Sequence, residues 1–409
     1  CLNSCGNGVK DFDNGRYVVA QVAESGKSAT ELLAKTLPEI IKGLKFSKTM
    51  RWNESGDSFS RPVRWLLAIL GNQVVPFSFS GLRSGNISHG FRFSNEAQKT
   101  IGSLSEYQQY LQDQGIILDQ KSRRNDIWQQ ALKLAGSVNG CLENDTELLR
   151  EITNLVEHPT ALLGSFDERY LQSLPTEVLV GVMKKHQRYI PVLNGDKNLT
   201  NHFIIVRNGD SENAEIVVGG NQQVVLARFA DAEFFVREDM QKPLEAFVPK
   251  LSQLTFQKEL GLMLDKTNRI ERLTHVLAER LDLDEQDKQT AARIAQLSKA
   301  DLATAMVVEM TALQGVMGMY YARNSGETDE VANGLFEYYL PRTPEDPLPR
   351  NKAAITVGLA DRLDSIAGLF AVGLAPTGTK DPFALRRAAI GLVSILTEKE
   401  IDFDTRWAL

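Results

Sequence analysis

"KPLEAFVPKLSQLTF", residues 242–256, marks the point where the texture of the chain changes. From here through "SILTEKEI" (394–401) nearly every window places apolar residues at i, i+3 and i+4, the spacing of one helix face. The run is broken at "PRTPEDPLPRN" (341–351), where four prolines force an irregular connection. Upstream the pattern differs. "RYVVAQVA" (16–23), "QVVPFSFSG" (73–81) and "ISHGFRFS" (87–94) are short β-rich runs punctuated by Gly and Asn-Gly, with "ATELLAKTLPEIIKGL" (29–44) a helical piece among them. "WQQALKLAGSV" (128–138) and "ELLREITNLVEH" (147–158) are spaced as helices, and "YIPVLN" (189–194) with "HFIIVRN" (202–208) predicts a hairpin across the turn-rich "GDKNLT". The reading is α+β: a mixed region over 1–235, then an all-helical one over 236–409. No internal repeat or low-complexity tract interrupts it.

The composition is that of a folded protein long enough for two or three cores: 409 residues, 43% hydrophobic and 24% charged. A net charge of −6 argues against a chain that coats nucleic acid everywhere, while allowing a local basic face. Apolar runs such as "WLLAIL" (65–70) fall far short of the roughly 20 residues that span a bilayer, so no membrane association is expected. Three cysteines, Cys1, Cys5 and Cys141, build no disulfide framework and point to a reducing compartment. "CLNSC" has the look of half a zinc site, but no second Cys or His pair follows at ligand spacing. The first residue is not methionine, so the chain reads as a piece or processed product and targeting cannot be read from it.

Nucleotide cradles are missing from the sequence. "KFSKT" (45–49) resembles the KMSKS loop with which class I synthetases hold ATP, but its HIGH-like partner is absent, and a chance match is the better reading. There is no GxxxxGKS or GxxxxGKT, and no GxGxxG after a strand.

Basic segments stand out instead. "MRWNESGDSFSRPVRW" (50–65) carries Arg51, Arg61 and Arg64 with Trp52 and Trp65 among them. Cations for phosphates and rings for exposed bases suit nucleic acid; two core tryptophans with arginine stems passing them is an equal alternative. "MKKHQRY" (183–189) sets Lys184, Lys185, His186 and Arg188 within five positions, either a phosphate-facing loop or a solvated face. "LARFADAEFFVRED" (226–239) reads as packing, with Arg228 paired internally.

In the helical zone "LADRLDSI" (359–366) resembles the closing aspartate segment of HD-type phosphohydrolases, which bind divalent metal through a His…His-Asp…Asp set. Lys266, in "DKTNRIERL" (265–273), occupies the first histidine position, and Ser298-Lys299, in "AQLSKADL" (295–302), stand where His-Asp belongs. Only Asp361 fits. One carboxylate beside lysines cannot hold a transition metal, so the scaffold is expected to survive without the hydrolase chemistry. An active metal-dependent phosphohydrolase and an RNA-independent assembly module are the rival readings.

"GTKDPFALRRAA" (378–389) packs a lysine, an aspartate, a proline and two adjacent arginines around an otherwise apolar turn and helix start. Asp381 as cap and Pro382 in the first turn predict a helix start, whose unpaired N–H groups with Lys380, Arg386 and Arg387 suit a phosphate. Adjacent arginines point about 100° apart on a helix, so one is expected to pair with an acid such as Asp361 or Asp364.

Together, "SKTMRW", "FSRPVRWLLAILG", "ISHGFRF", "VEHPTALLGSF", "MKKHQRYIPV", "GNQQVVLARFADAEFF", "LQGVMGMYYA" and "ADRLDSIAGLF…GTKDPFALRRAA" resemble the β subunit of the bacterial-type, heterotetrameric glycyl-tRNA synthetase, over about residues 15–400. The resemblance implies a B3/B4-like front part and a degenerate HD-like domain behind it. It implies no catalytic site on this chain, with ATP and Mg²⁺ used at the active site of an α subunit in an α2β2 assembly, and tRNA(Gly) as the second partner. The tRNA contacts expected here, from charge and aromatic content, are Arg51, Trp52, Arg61, Arg64, Lys184, Lys185, His186, Arg188, Lys380, Arg386 and Arg387. The family's N-terminal stretch and C-terminal anticodon-binding domain are not matched, so the chain is expected to be the central body of the subunit or part of a fused α–β protein. The compartment implied is bacterial cytoplasm, or chloroplast or mitochondrion for an organellar form.

Overall fold

The computed structural model describes residues 6–21, 26–91, 98–378 and 380–405. Cys1 and Cys5 of the half-site lie outside the described residues. The chain forms two compact units, the first made of Cys1–Asp126, Thr153–Thr160 and Arg207–Asp210, the second of Ile127–Ile152, Ala161–Val206 and Ser211–Leu409.

In the first unit, strands Gly6–Phe12 and Gly15–Gln21 pair antiparallel with Phe12 opposite Gly15. Helix Ala29–Gly43 begins at a reciprocal cap, Ser28 Oγ accepting from Glu31 N and Glu31 accepting from Ser28 N. The β-rich runs of 69–100 shrink to ribbons of two-residue strands, such as Ile69–Leu70 with Gln73–Val74. The 50–65 segment is pinned by a Met50–Phe59 bridge and by Asn53 Nδ2 donating to Ser80 O at 2.8 Å.

The second unit holds most of a three-stranded sheet in the order Ile190–Leu193, Leu199–Asn208, Pro159–Ser165. The expected 190–208 hairpin is there, antiparallel with Ile190 opposite Ile204. Phe203, stacked on Tyr189 at 4.9 Å, buries one face of it.

Two expectations change. Residue 235 lies inside helix Ala214–Met240, whose Val225, Phe229, Ala232 and Val236 join the same core as the helices beyond it. Composition shifts there while packing continues. Nor is 236–409 all helix. Leu244–Gln253 is a 3-10 helix with Pro249 inside it, and Thr255–Gln257 pairs antiparallel with Gly261–Leu262. Leu244, Phe247 and Leu251 are buried; the spacing of three between the first two suits either helix type, while the spacing of four that follows is the α-helical one and is what the sequence pattern picks up. The fold is mixed α/β, dominated by helices, with small antiparallel sheets.

Helix Lys352–Ala371 runs through the middle of the helical part, buried on nearly every side from Ala353 to Asp364. Asn351 starts it, accepting from the N–H groups of Ala353 and Ala354. It packs against helices Met263–Arg280, Glu285–Leu297 and Leu385–Glu398. Small residues let backbones approach: a Cβ at Gly358 would stand 2.8 Å from Tyr338 O. The 341–350 connection is irregular, as its prolines require.

Candidate functional site

Helix Met263–Arg280 carries Lys266 in its first turn, and helix Lys352–Ala371 carries Asp361 and Asp364 facing it. Helix Glu285–Leu297 stops one residue before Ser298, so Ser298-Lys299 form the turn after it rather than part of it. Lys299 adopts φ +65°, a left-handed conformation uncommon for a side-chain-bearing residue, and its N–H donates to Tyr338 Oη at 3.2 Å. Ser298 Oγ donates to Ala295 O at 2.7 Å and turns away from the cluster's charges.

That turn delivers the Lys299 ammonium to Asp361, 2.6 Å from Oδ2. Lys266 Nζ reaches Asp361 Oδ1 at 2.8 Å, Asp364 Oδ2 at 2.9 Å and Ser365 Oγ at 2.8 Å. The Arg269 guanidinium closes on Asp364. Aromatic faces surround the ammoniums: Lys299 lies 4.2 Å from the Tyr339 ring centroid and 4.9 Å from that of Tyr338, and Lys266 lies 4.8 Å from that of Phe256. Burial pushes the Asp361 carboxyl up, but the two ammoniums outweigh it and hold Asp361 well below the carboxylate range. Burial pushes Lys299 down, an effect Asp361 opposes.

Lys266, Lys299 and Asp361, three of the four positions compared with the HD set, therefore converge in one buried ion-pair cluster. The donor set does not fit a divalent ion: both Asp361 oxygens are taken by ammonium groups, and lysines occupy two of the compared ligand positions. Among the described residues no group of three His, Cys, Asp or Glu side chains is arranged to hold a metal.

Arg362, next in sequence to Asp361, went unnoticed in the sequence. It is 8% exposed and, among the described residues, donates only to backbone carbonyls: Nη1 to Tyr338 and Gly358, Nη2 to Tyr339, Leu340 and Pro341. These tie the 338–341 turn to the central helix. Charge inside an apolar pattern was the only signal for it.

The basic segments fare differently. In the first unit Arg51, Arg61 and Arg64 are exposed without an ion pair among the described residues, Trp52 is half-buried, and Trp65 rests on His89 at 4.3 Å. In the second unit, Lys184 and Arg188 are engaged by acids distant in sequence. Lys184 meets Asp145 at 3.1 Å and Glu143 at 3.3 Å, and Arg188 meets Glu151 at 2.8 Å. Lys185 and His186 remain exposed on the π-helical turn Val182–His186. Arg228 is exposed and makes no ion pair among the described residues, contrary to expectation, while Phe229 packs on Phe166 at 5.0 Å.

Helix Leu385–Glu398 starts later than its sequence implied. Ala384, at φ +54°, precedes it, and Asp381 caps from four residues upstream, accepting from Leu385 N at 2.8 Å and Arg386 N at 2.9 Å. Neither arginine pairs with Asp361 or Asp364, whose oxygens are already held. Lys380, Arg386 and Arg387 are exposed, and among the described residues none makes an ion pair. Arg387 lines two adjoining clefts of about 220 and 350 Å³ that share Pro341 and Arg342. Lys184 and His186 line other, smaller clefts.

Among the described residues no helix is long and apolar enough to cross a membrane. Residues 2–409 match the family described as glycyl-tRNA synthetase beta subunit. The chain is 45% identical over 394 residues to the glycine–tRNA ligase beta subunit of Moorella thermoacetica, covering 96% of this chain and 57% of that protein. It is 44% identical over 397 residues to that of Clostridioides difficile, covering 97% and 57%, and 40% identical over 405 residues to that of Gloeothece citriformis, covering 97% and 56%. The chain belongs to the glycyl-tRNA synthetase beta subunit family, and spans a little over half the length of these relatives.

Proposed function

We propose that the chain is a noncatalytic, tRNA-binding part of glycine–tRNA ligase, holding tRNA(Gly) while an α subunit in an α2β2 assembly attaches glycine with ATP and Mg²⁺. The observation that carries this reading is the cationic start of helix Leu385–Glu398: in a chain of net charge −6, Lys380, Arg386 and Arg387 stand exposed without an acid partner among the described residues. Unpaired surface cations are what a polyphosphate backbone displaces counterions to reach. Arg51, Arg61 and Arg64 offer a second set, with Trp65 next to Arg64 in the chain; Lys185 and His186 remain candidates in the third, where Lys184 and Arg188 are paired with acids.

The Lys266–Lys299–Asp361 cluster supports reading the helical zone as an HD-type scaffold that has exchanged a metal for ammonium groups. It gives the rival phosphohydrolase no ligand set. A B3/B4-like front part and a bacterial cytoplasmic or organellar setting belong to the same proposal. Filter binding of labelled tRNA(Gly) to this chain tests it. We expect binding at moderate salt that weakens by tenfold or more in R386A/R387A. Absence of binding by the unaltered chain would leave an RNA-independent assembly module as the better account.

A further inference from the structure

The 220 Å³ cleft beside Asp361 has an unbalanced wall. Lys266, Lys299, Arg269, Arg362 and Arg387 lie in or behind it; among the described residues Asp361 and Asp364 pair with Lys266, Lys299 and Arg269 only. Counting Asp301, whose carboxylate accepts from Gly315 N, and the Arg342–Asp346 pair at the rim, the cations still outnumber the acids by six to four. Arg362 is the sharpest case, a buried guanidinium with no carboxylate in ion-pair range among the described residues. Buried charge without a counter-charge is costly, and an anion in the cleft would relieve it.

Geometry gives that anion a place. Gly391 of helix Leu385–Glu398 rides over Arg362, where a Cβ would stand 3.0 Å from Nε. Arg387 is one turn earlier on the same helix face, so both guanidiniums address one cleft. Arg362 contributes its field, since its terminal nitrogens are occupied by carbonyls; Arg387, exposed, has its donors available. On the rim Phe383 presents an aromatic face at 38% exposure, and Gln314 supplies an amide to the same lining. The adjoining 350 Å³ cleft extends the space beyond Arg387.

We propose that this cleft binds one nucleoside phosphate, its phosphate on Arg387 over the field of Arg362 and its base stacked on Phe383. Cation beside ring is the arrangement single nucleotides and unpaired RNA residues require. The inference deepens the tRNA reading of the same helix start, and rests on it only for the source of the nucleotide, an unpaired residue of RNA or a free mononucleotide.

Isothermal titration of the chain with AMP, adenosine and inorganic phosphate tests it. AMP should bind at least tenfold more tightly than adenosine or phosphate. R387A should weaken AMP about tenfold or more, and F383A should weaken AMP while leaving phosphate unchanged; both side chains are exposed, and an unchanged Tm confirms folding. Filter binding of tRNA(Gly) to F383A then separates the sources: a loss matching that of AMP assigns the site to RNA, and unchanged tRNA binding assigns it to a free nucleotide. Equal affinity for AMP and adenosine, or AMP binding unaffected by R387A, overturns the site even where tRNA still binds, so its failure is distinct from failure of the tRNA reading.

Discussion

Asp361→Asn removes the one carboxylate that both buried lysines share. The substitution keeps the shape and leaves Lys266 with Asp364, while Lys299 loses its close acid partner. Removing one partner of a buried pair costs about 3–5 kcal/mol; since the Asp361 side chain is 16% exposed, water relieves some of that, and we place the loss near 3 kcal/mol at pH 7. For a unit of this size that is about 6–12 °C in Tm. The pH dependence carries the mechanism. Asp361 has a depressed folded pKa, so its stabilisation is present above the unfolded carboxyl pKa and is lost as pH falls through the folded value. Lys299 is shifted down by burial, and without Asp361 it falls further, so the folded variant binds fewer protons than its unfolded chain up to the ordinary lysine pKa near 10.4. Its stability therefore rises with pH across that window. The deficit should narrow from pH 7 to pH 9.5, narrow again below about pH 4, and be at least half recovered at pH 7 by adding Lys299→Met. Urea unfolding of the three proteins across pH reads all of this. A deficit below about 1 kcal/mol, or one that widens toward pH 9.5, refutes the reasoning.

Arg362→Met strips the 338–341 turn of its donors and should lower stability by about 2–4 kcal/mol, with Arg362→Lys recovering only part because an ammonium has three donors for five carbonyls; denaturant midpoints decide it. Tyr321→Phe removes the hydroxyl that donates to Asp239 at 2.8 Å and leaves the carboxylate its two backbone donors at Ala305 and Met306, for a loss of about 1–2 kcal/mol by the same measurement. Gly358→Ala pushes a methyl against Tyr338 O and should cost about 1–3 kcal/mol; a Tm within a degree of wild type would show that the turn yields.

What could be read from the sequence followed the range of the interaction. The 190–208 hairpin announced itself through a turn between two β-rich runs, all within twenty residues. Lys266, Lys299 and Asp361 were placed by analogy of position, and the structure brings them into contact. Lys184 and Arg188 were misread as available cations because Glu143, Asp145 and Glu151 lie some forty residues away, and no local pattern reports an ion pair that the fold assembles. The 244–253 segment has the apolar spacing of an α-helix at Leu244, Phe247 and Leu251, while Pro249 inside it removes a backbone donor, and the segment winds as a 3-10 helix. Arg362 showed nothing beyond a charge among apolar neighbours; its five carbonyl partners come mainly from a turn more than twenty residues upstream.

The central claim concerns phosphate contact at the start of helix Leu385–Glu398, and the salt dependence of tRNA(Gly) binding reports it most directly. For the unaltered chain and for R386A/R387A, the slope of log K against log salt counts phosphates neutralised. We predict a slope shallower by about one unit for each arginine that meets a phosphate, with Tm unchanged. Superimposable plots for the two proteins would contradict it.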